Sequence, residues 1–305
     1  MAYSALFALT PLKGGEGFVE REQYAPNKGR ILAEALPYIR RFYGKTMVVK
    51  YGGAAMDNPS FMESVSQDIA LLKFVGMNPI VVHGGGSKVN QFLRRLGIEA
   101  KFINGLRVTD ESTMEVVEMV LAGSVNKEIV ALINRSGGKA IGLSGKDADI
   151  IVARKKEGLD LGLVGDVVSI NAGAINTLCQ NGFIPVIAPI GVGEDGETYN
   201  INADSVAGRM AAGLGAERLI ILTNVKGIMR NPEDSSTFIS SLKVDQVLEL
   251  IDQGVISGGM VPKAMACVEA VKGGVEKAHI IDGRMPHSLL LELLTDEGVG
   301  TEITM

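Results

Sequence analysis

Tryptophan is absent from these 305 residues, cysteine occurs twice and histidine three times. Cys179 and Cys267 stand far apart with no paired spacing, which excludes a disulfide framework and a zinc knuckle and points to a reducing compartment. Three scattered histidines give no histidine-rich cluster, so no protein-held metal is expected. No apolar run approaches the ~20 residues that a membrane span needs. The opening MAYSALFALTPLKGG carries its one lysine behind the apolar part. It therefore lacks the basic leader of a signal peptide and the arginines of a transit peptide, and a cytoplasmic location is expected. Positive charge is also short. A formal net charge of −5 advertises neither a nucleic-acid surface nor a membrane surface. An anionic ligand would have to find a local cationic site.

What is present is the composition of a globular protein, 46% hydrophobic and 21% charged, long enough for one large or two moderate domains. Glycine is abundant at 38 residues and has no collagen-like period, so it serves turns and close backbone approach. From Thr46 onward, short β-branched runs alternate with helical patterns: TMVVKY, a helix over 60–76, NPIVVH, helices over 87–97 and 110–135, and so on to a last strand, GTEIT. That alternation predicts an α/β fold with an open, mostly parallel sheet sandwiched between helices. A hairpin-rich stretch at 140–170 suggests two lobes, 45–180 and 181–305. Ahead of them, 1–25 reads as an irregular tail and 26–44 as a helix, with Ile31, Leu32, Ala35, Leu36, Ile39 and Phe42 at helical spacing. Pro37 inside that pattern is expected to kink or break it. Its apolar face suits either its own domain or the same helix of another subunit.

Two motifs are decoys. Gly44-Lys45-Thr46 resembles the end of a P-loop, but position 39 is Ile39 where that loop needs glycine, and a strand follows instead of a helix. Gly191 to Gly196, GVGEDG, formally matches a dinucleotide fingerprint. No helix opens behind it, and Glu194-Asp195 would repel a pyrophosphate, so it reads as a hairpin turn.

The chemistry concentrates where apolar strands run into glycine. VVKYGG places Lys50 at a buried strand tip just before Gly52 and Gly53, and VVHGGG runs into Gly84, Gly85 and Gly86 ahead of a helix. Glycines there let backbone N–H groups approach an anion, and the next helix adds its positive end, so two adjacent turns point to a phosphate cradle. Gly142 with Gly145, and Gly258-Gly259, occupy similar positions. Lys263 follows SGGMVP near a helix start. Asp204 in YNINAD suits a helix cap and could equally hold two lysines in place. Arg107 in NGLRVT stands in a loop before a helix, either as an ordinary surface arginine or as a fork for a carboxylate, and Asn200 and Asn202 can cap turns or bind an amide.

Taken together and in this order, VVKYGGAAM, VVHGGG, NGLRVT, VLAGSVNKEIV, YNINAD and GGMVPK resemble the amino-acid kinase family. NGLRVT and YNINAD point to its branch that phosphorylates N-acetyl-L-glutamate. The resemblance runs from about residue 28 to the end. It implies that Lys50 and Lys263 stabilise the moving γ-phosphoryl group of ATP, and that Asp204 orients both lysines. It implies phosphate-binding amides from Gly52, Gly53 and Gly84, and from Gly85 and Gly86 toward the acceptor. Arg107 would clamp the substrate's α-carboxylate and Asn200 its acetamido group. The first lobe would hold the acyl amino acid and the second lobe ATP, with Mg2+ bridging phosphates.

No general base stands out, and a carboxylate acceptor needs none, because at a pKa of ~4.3 it is already ionised at neutral pH. Lysines and backbone dipoles then suffice for phosphoryl transfer. The tail DGRMPHSLLLELLTDEGVGTEI resembles that of arginine-inhibited members, which form hexamers through an extra N-terminal helix. His287, Glu297 and Gly300 are its candidates for an L-arginine pocket, the alternative being an ordinary C-terminal helix and strand. The resemblance also admits the PII nitrogen-signalling protein as a partner, as in some relatives.

Overall fold

The computed structural model describes residues 17–56, 58–231 and 233–305. In chain order its strands are β1 (Thr46–Tyr51), β2 (Asn78–His83), β3 (Phe102–Ile103), β4 (Leu106–Arg107), β5 (Ala140–Ser144), β6 (Ile151–Lys155), β7 (Gly165–Ile170), β8 (Ile184–Ala188), β9 (Ile190–Val192), β10 (Thr198–Asn200), β11 (Arg218–Thr223), β12 (Ser241–Lys243), β13 (Lys277–Asp282) and β14 (Thr301–Thr304). The helices are α1 (Gly17–Phe42), α2 (Pro59–Phe74), α3 (Gly86–Arg95), α4 (Glu111–Glu118), α5 (Asn126–Arg135), α6 (Ala172–Gln180), α7 (Ala203–Gly213), α8 (Val244–Asp252), α9 (Met260–Lys272) and α10 (Ser288–Leu294). A π-helical stretch, Met119–Val125, joins α4 to α5.

Eight strands form one sheet in the order β12-β14-β13-β11-β1-β2-β8-β5. Its pairs are parallel except β13 with β14. This is the open, mostly parallel sheet that the alternation predicts. Strand period explains the two cores. Val48, Ile80, Val82, Leu219 and Ile221 point to one face, whereas Met47, Val49, Val81, Ile220 and Leu222 point to the other. Helices cover both faces, so both parities are apolar and the strands read as continuous hydrophobic runs. Lys50 interrupts the run in β1 and is nonetheless buried, with 6% of its surface exposed. β1 lies at the switch point, with β2 on one side and β11 on the other, which opens a crevice beyond the strands' carboxyl ends.

A second sheet, β10-β9-β6-β7, grows from the hairpin-rich stretch. GVGEDG lies in the antiparallel β9–β10 connection, as the hairpin reading required. The N-terminal helix differs from expectation. α1 starts at Gly17, inside the stretch read as irregular tail, and runs through Pro37 as one helix to Phe42. Residues 1–16 of that tail lie outside the described residues. Ala35, Tyr38, Ile39 and Phe42 pack on the chain's own core, while Ile31, Leu32 and Leu36 are exposed. Among the described residues no helix is long and apolar enough to cross a membrane.

Candidate active site

The centre of the crevice is a carboxylate between two ammonium groups. Asp204 Oδ2 accepts from Lys263 Nζ at 2.9 Å, and Asp204 Oδ1 lies 2.9 Å from Lys50 Nζ, out of line for a hydrogen bond. β1 delivers Lys50, the first turn of α7 delivers Asp204, and the first turn of α9 delivers Lys263. Asp204 does not cap α7. Asn202 does, its Oδ1 accepting from the amides of Asp204 at 2.8 Å and Ser205 at 3.2 Å. That cap aims the next acidic side chain at the lysines. Burial alone would push the Asp204 carboxyl up, but Lys50 and Lys263 outweigh it and hold it below its ordinary range. Burial draws the Lys50 ammonium below its usual pKa, Asp204 opposes the shift, and Lys263 adds to it.

Gly52 exists for Lys50. A Cβ there would lie 2.8 Å from Lys50 Nζ, so any larger residue displaces the ammonium. Gly53 has φ +69° and Gly85 φ +151°, backbone conformations suited to glycine. Gly85 is also packed from outside, since a Cβ would stand 2.6 Å from Leu121 Cδ2. The expected role of Gly84 as a phosphate donor is corrected: its N–H is spent on Tyr51 O at 2.7 Å and ties β2 to β1. Of the expected cradle glycines, Gly52, Gly53, Gly85 and Gly86 make no amide hydrogen bond of this kind to a neighbouring strand among the described residues. The other glycine pairs diverge. A Cβ on Gly142 would meet Asn126 Oδ1 at 1.7 Å, and one on Gly145 would meet Ile190 O at 2.2 Å, so these two serve packing. Gly258-Gly259 leads into α9 and so into Lys263.

Two clefts flank the charged centre. On the β2 side, one of about 210 Å³ is lined by Gly85, Gly86, Phe102, Arg107, Leu121 and Asn200. Arg107 stands not in a loop but on β4 of a tight hairpin. Asn104 (φ 51°) and Gly105 (φ 78°) form its two-residue turn, the conformation that Asn-Gly favours. The register sets Arg107 opposite Phe102, with the guanidinium 4.8 Å from the ring centre. Arg107 Nη1 donates to Asn90 Oδ1 at 2.6 Å, and Nη2 to Gly86 O at 3.2 Å. Burial lowers its pKa, yet a guanidinium stays charged at neutral pH. Asn200 Nδ2 donates to Thr109 Oγ1 at 3.1 Å, and Thr109 Oγ1 to Arg107 O at 3.0 Å, so the amide and the arginine are linked. Sequence reasoning missed Asn90 and Phe102. Asn90 gives no local signal, whereas Phe102 follows from the Asn-Gly turn once the hairpin is drawn. On the β11 side, a cleft of about 350 Å³ is lined by Asn224, Val225, Met229, Ile256, Met260 and Lys263.

Glu297 and Gly300 line a third cavity, of about 310 Å³, between the end of α1 and the C-terminal strands, with Arg41, Lys277 and His279. His287 is not there. It adopts φ 57° ahead of α10, and its Nδ1 pairs with Asp68 Oδ1 on α2 at 2.6 Å. The imidazole in the cavity is His279, whose Nδ1 faces Glu292 Oε1 at 2.6 Å. Tyr38 donates to Asp296 at the same cavity, and Arg41 reaches Glu276 at 2.7 Å, so α1 is tied to it directly.

Among the described residues no group of three or more His, Cys, Asp or Glu could hold a metal ion, and the central carboxylate is already engaged by two lysines. The acetylglutamate kinase of Heliobacterium modesticaldum is 59% identical over 290 residues, covering 92% of this chain and 98% of that one. That of Syntrophomonas wolfei is 58% identical, with the same coverage. Among solved structures, N-acetylglutamate synthase from Neisseria gonorrhoeae, complexed with coenzyme A and N-acetyl-glutamate, superposes with a TM-score of 0.80 at 26% identity. The match spans 90% of this chain and 63% of the synthase. The model of the amino acid kinase family matches residues 45–282, across both clefts and the centre between them, and the chain belongs to that family.

Proposed function

We propose that the protein transfers the γ-phosphoryl group of ATP to the side-chain carboxylate of N-acetyl-L-glutamate, giving N-acetyl-L-glutamyl 5-phosphate and ADP in the arginine-biosynthetic direction. The observation that carries this reading is Asp204 holding Lys50 and Lys263 at 2.9 Å each, between a cleft with a fixed guanidinium and a cleft with apolar walls. The names of the curated relatives supply the substrate.

Arg107 takes the α-carboxylate, forked and pre-oriented by Asn90 and Gly86. Asn200 takes the acetamido group. The side-chain carboxylate then lies against the amides of Gly85 and Gly86 and attacks phosphorus. The bond from phosphorus to the β-phosphate oxygen breaks, its electron pair leaves with ADP, and no proton moves. The difficulty is bringing an anion against a polyanion. Lys50 and Lys263 meet it with two positive charges that Asp204 keeps in place before substrate arrives. ATP occupies the β11-side cleft, the adenine against Val225, Met229 and Met260. Mg2+ would be held through the phosphates, since among the described residues no cluster of carboxylates, histidines or cysteines offers it ligands, and would screen their charge. The lobe on the β2 side thus serves the acyl amino acid and that on the β11 side the nucleotide.

The third cavity suits L-arginine as inhibitor, with Glu297 for its guanidinium and Lys277 for its carboxylate. Exposed Ile31, Leu32 and Leu36 on α1 suit a homohexamer formed through this helix. PII belongs to the proposal as a protein that would relieve arginine inhibition.

The test is ATP turnover with N-acetyl-L-glutamate, unacetylated glutamate and carbamate in parallel, trapping acyl phosphate with hydroxylamine. Hydroxamate with acetylglutamate alone is expected. None with any acceptor overturns the assignment.

A further inference from the structure

The stretch VLAGSVNKEIV plays no part in the reaction as described above, yet its Asn126 is fully buried directly behind the glycine cradle. Asn126 Nδ2 donates to Val186 O at 2.9 Å, lies 3.3 Å from Leu143 O and faces His83 Nε2 at 3.1 Å. On its other side Lys127 Nζ, exposed, donates to Asn126 Oδ1 at 3.2 Å and to Gly142 O at 2.9 Å. His83 is fully buried and its Nδ1 lies 2.7 Å from Gly84 O. One Nδ2 proton goes to Val186 O, and for the other His83 Nε2 at 3.1 Å is nearer than Leu143 O at 3.3 Å, which favours one arrangement of protons. The Asn126 amide, oriented by Val186 O and Lys127, presents N–H to Nε2, so Nε2 accepts and the ring proton sits on Nδ1, where it donates to Gly84 O. Burial lowers the His83 pKa to about 4, consistent with a neutral ring.

The consequence lies in the peptide plane. The Gly84 carbonyl and the Gly85 N–H belong to one trans amide and point in opposite directions. His83 extends to the α5 side of the sheet and holds the carboxyl-terminal carbonyl of Gly84 there, so the Gly85 N–H is turned away, toward the cleft that Gly85 and Asn200 line. Gly84's own N–H is fixed on Tyr51 O, so both planes flanking Gly84 are pinned. No backbone bond takes up the Gly85 amide among the described residues. Gly85 itself, without Cβ and at φ +151°, has little intrinsic preference to hold that plane. The π-helical stretch closes the device from behind: it packs Leu121 and Val125 on Gly85 and brings Asn126 into register with β2, β5 and β8.

We infer that Lys127, Asn126 and His83 form a positioning relay that fixes the Gly84–Gly85 peptide so that the Gly85 N–H faces the reacting acceptor carboxylate as it attacks the phosphoryl group. None of the three touches substrate, so they are positioning residues. The inference rests on the proposed phosphoryl transfer for its kinetic consequence and on the proton arrangement alone for its structural one, and the two are tested separately.

Asparagine at position 83 keeps an N–H where Nδ1 stands, whereas glutamine keeps only the outer position that meets Asn126. Measured beside the wild type, His83→Gln is expected to lose about 10- to 100-fold in kcat, as for a misdirected oxyanion donor. KM for N-acetyl-L-glutamate should stay within about threefold, and His83→Asn should recover most of the loss, because ground-state binding through Arg107 is untouched. Equal losses in both variants, or a loss confined to KM, overturn the inference. Should His83→Gln fail to fold, Lys127→Met, an exposed substitution, carries the test. A kcat lowered about three- to tenfold at constant KM is expected, from an amide no longer anchored at its oxygen. A wild-type kcat refutes the relay. Independently of turnover, 15N spectra of the histidine-labelled protein should show His83 protonated at Nδ1 and not at Nε2 at neutral pH. An Nε2–H tautomer overturns the inference even in a fully active enzyme. A wild type without activity but with the expected tautomer removes the proposed reaction and leaves the relay standing.

Discussion

Replacing Asp204 by asparagine leaves size and shape nearly unchanged and removes one negative charge from between Lys50 and Lys263. At 2.9 Å and an effective permittivity of ~20, each ion pair is worth about 6 kcal/mol before desolvation. Lys50 and Asp204 expose only 7% and 6% of their side chains, so water cannot replace the lost partner. Asparagine offers one oxygen, which can serve one lysine, and turns an N–H toward the other. The net charge of the group rises from +1 to +2. A buried cation left unpaired costs about 3–5 kcal/mol, and a lysine escapes that cost by losing its proton. Burial and Lys263 already draw the Lys50 pKa down, and Asp204 is what opposes them. Lys50 in the variant is therefore expected to be largely neutral at neutral pH. One of the two charges that stabilise the transferring phosphoryl group is then gone, and kcat should fall by about 10²- to 10³-fold. KM for N-acetyl-L-glutamate should move little, because Arg107 and Asn200 lie outside the change. The assay is hydroxamate formation at saturating ATP. Its pH profile carries the sign of the argument: lowering the pH returns the proton to Lys50, so the deficit should shrink on the acid side. A kcat within tenfold of wild type, or a deficit that grows as the pH falls, would refute this account of Asp204.

Gly52→Ala should fold, since Gly52 has no positive φ, but its Cβ would stand 2.8 Å from Lys50 Nζ. A displacement of about 1 Å predicts a 10- to 100-fold loss of kcat, with little change in melting temperature to show that the damage is local. For the third cavity, Glu297→Ala is expected to raise the half-inhibitory concentration of arginine at least about tenfold, while His287→Ala leaves it unchanged, because His287 faces Asp68. Arginine without effect on the wild type removes that site. Asp68 tests the packing of α10. Burial pushes its carboxyl from 3.8 up to about 6, against the His287 bond and the Leu289 and Leu290 amides that favour its charged form. A raised acid binds its proton more tightly when folded, so its charged form weakens the fold as the pH rises through about 6. Asp68→Asn should therefore gain up to about 3 kcal/mol relative to wild type between pH ~4 and ~7, read from melts across that range. A difference that stays flat with pH refutes it.

The elements of this chain are written in its local pattern. Both parities of β1, β2 and β11 are apolar, which is what a sheet covered on two faces requires, and the strand–helix alternation carries the rest of the order. Asn104-Gly105 encodes its own turn, whereas the cap of α7 fell to Asn202 and not to Asp204. The reading that failed locally was Pro37, where a helix packed on the core through Ala35, Tyr38, Ile39 and Phe42 accommodates a residue that weakens it. Motif order also pointed to Lys50, Asp204 and Lys263 as a group, but it gave no distances.

What tertiary structure alone decided is who meets whom. Lys50, Asp204 and Lys263 are spread over more than two hundred positions of the chain and become neighbours because β1 lies between β2 and β11, with α7 and α9 packed on the same face. Asn90 reaches Arg107 from α3, Asn126 reaches His83 from α5, and Gly84 proves to be spent on Tyr51. His279 and His287 differ by eight positions, yet one lines the third cavity and the other leaves it. Helix and strand periods are set by neighbours a few residues apart, and a sequence records them directly. Strand order, register and the direction in which a peptide plane is pinned depend on groups brought together only when the sheet closes its core, and no local pattern holds them.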